Sequence, residues 1–377
     1  MANSISTLGQ YLDQISRLKS QQTTLGDLSI QISTGKKTQT LSGLGNDIIR
    51  ATRARAGVDS LETYSSNITN AQRRINLMLT STGEIKAQVE KVTTGLMQAV
   101  QEGDYPDLET IKQMTANVYD FILDNINAMD GERYLFGGGD TAEKPISANG
   151  LFESALGEFL PDSSNLTNPP LISQGMIGDW GDGTITTDQF IDSYKGITDT
   201  VLGYSNALTS NTAGSSTVRV SDESEFDYTE LGNQPAMKEI VRLLGVLKAL
   251  PPVEYAPGAL NDPTATTIAG DTAPHPPAEK QANFFRVLND ITAGLNAALD
   301  GMDQVEFRLS QVEAQIDTVK KSHTSQINAY KDLIGETEDV DITEASTKLL
   351  QMQTQLQASF QVTALTAQLT LANFIGN

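Results

Sequence analysis

The chain has no cysteine, a single tryptophan (Trp180) and two histidines in 377 residues. Without thiols there is no disulfide framework and no thiolate metal site. Aromatic residues are few, at 6%, which suits long helical bundles whose seams are filled by aliphatic side chains. Proline is missing from both ends: all thirteen lie between Pro106 and Pro277. Both ends can therefore run as long helices, with no lost backbone donor and no ring clash. Charge is missing from the C-terminus. From Leu349 to Asn377 there is no Asp, Glu, Lys, Arg or His. A surface helix of a monomer carries charge on its solvent face. A helix with Gln, Thr, Ser and Asn there suits burial on nearly all sides. It is no membrane span, because Gln351, Gln353, Gln355, Gln357 and Gln361 interrupt it too often for the roughly 18 apolar residues a span needs. Met1–Ser6 has neither a basic n-region nor a continuous apolar run, so a Sec-type signal peptide is not expected.

The charge that is present is unevenly placed. Residues 1–100 hold 11 basic and 7 acidic side chains, residues 101–280 hold 9 and 28, and residues 281–377 hold 6 and 12, giving the net −21. The acidic middle is therefore the part expected to face solvent. An acidic chain binds phosphate backbones poorly, so nucleic acid is not an expected partner.

Two heptad stripes frame the chain. One reads Leu61, Tyr64, Ile68, Ala71, Ile75, Met78, Thr82, Ile85, Val89, Val92, Leu96, Ala99. The other reads Leu288, Ile291, Leu295, Ala298, Met302, Val305, Leu309, Val312, Ile316, Val319, His323, Gln326, Tyr330, Leu333. Alternating steps of three and four mark long helices packed at a shallow angle. The terminal segments repeat the pattern. Ile5, Leu8, Tyr11, Ile15, Leu18, Leu25 and Ile32 keep a heptad, with Gln22 and Ser29 in its gaps. Leu349, Met352, Leu356, Phe360, Ala364, Ala367, Leu371 and Phe374 form an apolar stripe, and Val362, Leu365 and Leu369 part of a second. These terminal helices are the candidate assembly surfaces.

The order of elements is nested. Helices are expected over 1–35, 47–101, 107–130, 235–250 and 281–334, with Asp107 capping the third, and a terminal helix after a break at 335–341. Residues 251–280 read as a Pro- and Ala-rich loop. Residues 141–232 are rich in Gly, Pro, Asp, Ser and Thr, and 184–186, 217–220 and 225–228 alternate as strands do. The expected fold is mainly α, a long discontinuous coiled-coil helical bundle with N- and C-terminal helices paired and a β-rich outer domain inserted. Its expected parts are terminal helices (1–46 and 335–377), a discontinuous bundle (47–140 and 233–334) and the insertion (141–232).

Several segments resemble the flagellin family. Leu28-Ser29-Ile30-Gln31-Ile32-Ser33-Thr34-Gly35-Lys36-Lys37 is similar to the family's N-terminal signature, Tyr64–Ala71 to its next long helix, and Glu338-Asp339-Val340-Asp341-Ile342-Thr343-Glu344-Ala345 to the start of its C-terminal helix. Gly131-Glu132-Arg133-Tyr134-Leu135-Phe136-Gly137-Gly138, followed by Thr141 and Lys144-Pro145, and the ending Leu369–Ile375 resemble the members that join the flagellar hook to the filament. The resemblance implies a structural protein of the bacterial flagellum, extracellular and exported without a cleaved Sec signal. It implies an adaptor that self-assembles through its terminal helices into a homo-oligomeric ring. Its partners would be neighbouring hook-associated protein and flagellin subunits and an export chaperone, with no cofactor and no membrane insertion. A filament flagellin is the alternative, and a secreted coiled-coil adhesin a further one.

Chemistry-bearing motifs are sparse. Gly137-Gly138-Gly139 lacks the Gly-Lys-Ser/Thr of a phosphate loop and reads as a flexible domain joint. Asp179-Trp180-Gly181-Asp182-Gly183 lacks the alternating ligands and closing Glu of a calcium loop and reads as a turn. His323 lies on a seam with no second ligand near it and reads as a packed core histidine. Asp339 and Asp341 belong to no nucleophile–base set. No catalytic activity, cofactor or metal site is expected.

Overall fold

The computed structural model describes residues 2–102, 108–148, 150–157, 159–161, 171–173, 175–181, 184–250 and 278–375. The expected Gly103–Pro106 turn, the Asp107 cap and most of the 251–280 loop lie outside them. Two compact units are present, Met1–Thr63 with Lys321–Asn377, and Tyr64–Lys320.

In the first unit a 33-residue helix (Ala2–Thr34, α1) pairs with the 34-residue C-terminal helix (Ile342–Ile375, α11). The pair is antiparallel: the Gln14 amide donates to Thr363 Oγ1 at 3.0 Å, and Lys36 bridges Asp339 further along. Between α1 and the next long helix (Ile48–Glu102, α2) lies a 3₁₀ turn (Leu41–Asp47, η1), kinked where Gly45 takes a φ of 58°. The first turns of α2 and the last of the 61-residue helix Ala278–Glu338 (α10) complete this unit. There Gly57 receives the Tyr330 ring, and Lys331 pairs with Glu62 at 3.0 Å. The expected break at 335–341 narrows to three residues, 339–341, because α10 runs through Gly335 to Glu338. Asp341 Oδ1 then accepts from the Thr343 and Glu344 amides at 2.8 and 3.1 Å and caps α11.

In the second unit α2 and α10 lie antiparallel, tied by Lys320 to Gln72 at 3.0 Å and by Lys86 to Asp303. The seam residues Ile68, Ala71, Ile75, Met78, Thr82, Ile85, Val89, Val92 and Leu96 are buried, as are Leu288, Ile291, Leu295, Ala298, Met302, Val305, Leu309 and Ile316. Two further helices, Leu108–Ile126 (α3) and Pro235–Ala249 (α9), pack together. Helix α3 is shorter than expected, since a hairpin of Met129–Asp130 (β1) and Arg133–Tyr134 (β2) follows it. Helix α9 meets α10 across glycine notches. A Cβ at Gly294 would stand 2.6 Å from Leu243 Cδ1, and one at Gly301 2.8 Å from Ala236 Cβ.

The fold is mainly α. The insertion holds two small hairpins, Phe159–Pro161 with Leu171–Ser173 (β3, β4) and Thr217–Arg219 with Glu225–Asp227 (β5, β6). Among its described residues are also five short helices: Leu151–Leu156 (α4), Gly175–Gly181 (α5), Thr187–Lys195 (α6), Asp199–Leu202 (α7) and Asn206–Thr209 (α8). Among the described residues of the insertion, helix thus exceeds strand. Residues 184–186 form no strand, because Thr186 caps α6 in a box with Gln189. Trp180 stacks on Phe190 at 4.9 Å and donates to Thr187 at 3.1 Å, so it is core; Asp179–Gly181 end α5 rather than forming the expected turn, and Asp182 and Gly183 lie outside the described residues. Insertion and bundle share one hydrophobic core. The ring of Phe152 fills a notch on α9 where a Cβ at Gly245 would come within 2.0 Å of Cε1. Gly137-Gly138-Gly139 is no flexible joint. Gly137 bridges Leu231, Gly139 donates to Gly214 O, and a Cβ at any of the three would meet backbone oxygen within 3 Å. Glycine stands here for close backbone approach.

Candidate assembly surface of the terminal helices

The seam between α1 and α11 is built from Gln14, Leu18, Gln21, Leu25, Leu28 and Ile32 on one side, and Ala345, Leu349, Met352, Leu356, Ser359 and Thr363 on the other. Both sets follow steps of four and three. The heptad expected on α1 is displaced by one residue at its gaps, with Gln21 and Leu28 inward in place of Gln22 and Ser29. On α11 the expected stripe holds through Leu356 and then slips by one. Ser359 and Thr363 turn inward, and Phe360 and Ala364 turn out. The seam keeps regular steps of three and four past Leu356, whereas the expected stripe took two successive steps of four; Gln14 donates to Thr363 across the seam at 3.0 Å.

Several apolar side chains on the two helices stand in solvent. Leu12, Ile15 and Ile30 on α1, and Leu350, Phe360, Val362 and Leu365 on α11, are each between 45% and 63% exposed. At about 100° per residue they lie on flanks and backs of both helices, away from the seam. Helix α1 holds only four charged residues (Asp13, Arg17, Lys19, Asp27), and α11 holds none beyond Lys348. Of the expected assembly residues, Leu18, Leu25, Ile32, Leu349 and Met352 are half-buried and Leu356 is buried, all on the seam. Ile15, Phe360 and Leu365 point outward. The side chains of Ile5, Leu8, Tyr11, Leu371 and Phe374 lie outside the described residues.

A polar clasp holds the inner end of this helix pair. Arg55 grips Glu338 with two prongs, Nε to Oε1 at 3.0 Å and Nη2 to Oε2 at 2.7 Å. Lys36 Nζ sits 2.5 Å from Asp339 and 3.5 Å from Glu338. Lys37 donates from its backbone to Glu338 O at 2.7 Å, and the Val340 amide returns to Gly35 O at 2.9 Å. The hydrogen bond from Arg55 holds the Glu338 carboxyl below its ordinary value. The hydrogen bond that Lys36 donates to Asp339 raises the Lys36 pKa. Gly35-Lys36-Lys37 and Glu338-Asp339-Val340, some 300 positions apart in the chain, thus form one cluster. Sequence reasoning marked both segments and missed their partner Arg55.

Among the described residues no group of three His, Cys, Asp or Glu could hold a metal ion, and no helix is long and apolar enough to cross a membrane. His323 is buried on its seam, and burial lowers its pKa.

The terminal helices thus form a long antiparallel pair with several apolar side chains exposed among neutral polar ones. Residues 292–375 match the bacterial flagellin C-terminal helical region. No curated protein matches it. Among solved structures it is similar to one described as a flagellar hook-associated protein from Vibrio parahaemolyticus, at 14% identity and a TM-score of 0.41, covering 79% of this chain and all of that one.

Proposed function

We propose that this chain is an extracellular structural subunit of the bacterial flagellum that self-assembles through α1 and α11 and joins the hook to the filament. The observation that carries assembly is the set of apolar side chains left in solvent on two helices that hold almost no charge. Covering them removes apolar area from water at roughly 25 cal/mol per Å². The flagellin-type C-terminal region supports the flagellar setting. The family is structural rather than enzymatic, in keeping with the absence of any nucleophile–base constellation in the sequence.

The junction role rests on the Gly131–Gly138 segment and the Leu369–Ile375 ending, which resemble those of hook–filament adaptors. The partners would then be further copies in a ring, a neighbouring hook-associated protein, flagellin subunits and an export chaperone. A filament flagellin is the second reading, since it shares the terminal helices. Immunogold labelling of intact flagella separates the two. Label confined to the hook–filament junction, with a null strain that makes hooks and sheds flagellin monomers, is the expected result. Label along the whole filament rejects the adaptor and leaves the flagellin.

A further inference from the structure

Within the first unit, two connectors join the α1–α11 pair to the first turns of α2 and the last turns of α10. One runs from Gly35 through η1 to Asp47, and the other is residues 339–341. They lie side by side. The Lys37 amide donates to Glu338 O at 2.7 Å, and the Val340 amide to Gly35 O at 2.9 Å. Both α-helical runs are thus interrupted at one level, and a few non-helical residues are enough to absorb a change of angle between the elements they join.

Packing does not hold the longer connector. None of the seven residues of η1 is buried. Gly45 takes φ 58° and ψ −121°, a conformation that residues with a side chain rarely adopt, and no atom lies within 4 Å of where its Cβ would stand. Beside η1 is a cleft of about 200 Å³, lined by Lys36, Leu41, Leu44, Arg55 and Glu338 among others. A segment with few buried contacts next to open space rearranges at low cost.

One side chain closes the joint. Glu338 is the last residue of α10, and its carboxylate is nearly buried. It is held from both ends of the longer connector, by Lys36 before η1 at 3.5 Å and by Arg55 after it at 3.0 and 2.7 Å. A two-pronged guanidinium–carboxylate pair fixes geometry as well as adding energy.

We propose that the two connectors form a double hinge between the terminal helix pair and the α2–α10 pair, and that Glu338 is its lock. Closed, the lock holds the terminal pair at one angle. Open, it lets that pair swing at Gly45 and at 339–341 while both helix pairs stay intact. The lock is a property of the single chain and does not depend on the self-assembly reading.

The cysteine-free chain accepts nitroxide labels at chosen positions. S20C/S60C reports across the hinge, and S20C/T347C reports within the terminal pair; all three positions are exposed. Distances are measured by pulsed electron paramagnetic resonance on the full-length chain, at concentrations too low for pelleting. With Glu338 present, S20C/S60C should give one narrow distribution. E338Q should about double its width, and R55Q should do the same, as expected of a released hinge. S20C/T347C should stay narrow in both variants, with helical circular dichroism unchanged. An S20C/S60C distribution that E338Q leaves as it was overturns the proposal, as does one already broad with Glu338 in place. Broadening of S20C/T347C overturns it too, because the terminal pair then unzips instead of swinging.

Discussion

Arg55 and Glu338 form a two-pronged ion pair at 3.0 and 2.7 Å, and they stand 283 positions apart in the chain. The carboxylate is nearly buried and the guanidinium half-exposed. The pair closes the inner end of the α1–α11 helix pair, where the two flagellin-like segments meet.

Acid should open this clasp. The Glu338 pKa lies below its ordinary 4.5, chiefly through the Arg55 hydrogen bond. Its contribution is therefore fully present above about pH 4.5 and is lost as pH falls through the folded value. Glu338→Gln should cost about 1–2 kcal/mol at neutral pH, scaled for the exposure of Arg55, and should flatten the acid limb. Thermal melts of both proteins between pH 3 and 7 check this; parallel curves would count against the clasp.

Arg308 answers a fully buried carboxylate, Glu230, by an ion pair and also donates to Thr229 O at 2.8 Å. Burial raises the Glu230 pKa. Arg308→Ala should cost about 2–4 kcal/mol at pH 7, because an unpaired charge is left inside. The sign with pH is opposite to that of Glu338. A raised pKa means that the penalty of ionised Glu230 grows as pH rises through the folded value and fades below it. Chemical denaturation at pH 5 and pH 7.5 should show the variant closer to the parent at pH 5.

Gly245→Ala should destabilise the second unit by about 1–3 kcal/mol, although alanine is the better helix former by up to about 1 kcal/mol. The new methyl would collide with the buried Phe152 ring. The double variant with Phe152→Leu should recover part of the loss. A neutral Gly245→Ala in urea unfolding would show that the ring has room to move.

Ile15→Asp and Leu365→Asp place a charge on the outer faces of α1 and α11. Both positions are exposed in the subunit, so folding stability should change by no more than about 0.5 kcal/mol. Pelleting should be abolished, since a charge buried without a partner is costly. Normal pelleting by either variant would remove those faces from the assembly surface.

The amino-acid sequence by itself determined the long helices, their seams and the uncharged terminus. Those signals are local: apolar spacing at steps of three and four, the absence of proline, the absence of charge. From Ile68 to Leu96 and from Leu288 to Ile316 every expected seam residue that the structure buries is set by that periodicity alone. Tertiary structure decided what periodicity leaves degenerate. On α1 and α11 polar residues fill several seam positions, so a one-residue shift changes little in apolar content, and the folded pair places Gln14, Ser359 and Thr363 on the seam. That choice turned Phe360 outward. In the insertion, alternating Thr and Ile at 184–186 gave way to a helix cap. The glycines at 137–139, 245, 294 and 301 took their meaning from what approaches them. A glycine in a sequence marks only freedom; whether a ring, a helix or another backbone occupies the space is a non-local fact. So is the meeting of Arg55 with Glu338, which only the folded chain brings within hydrogen-bonding distance.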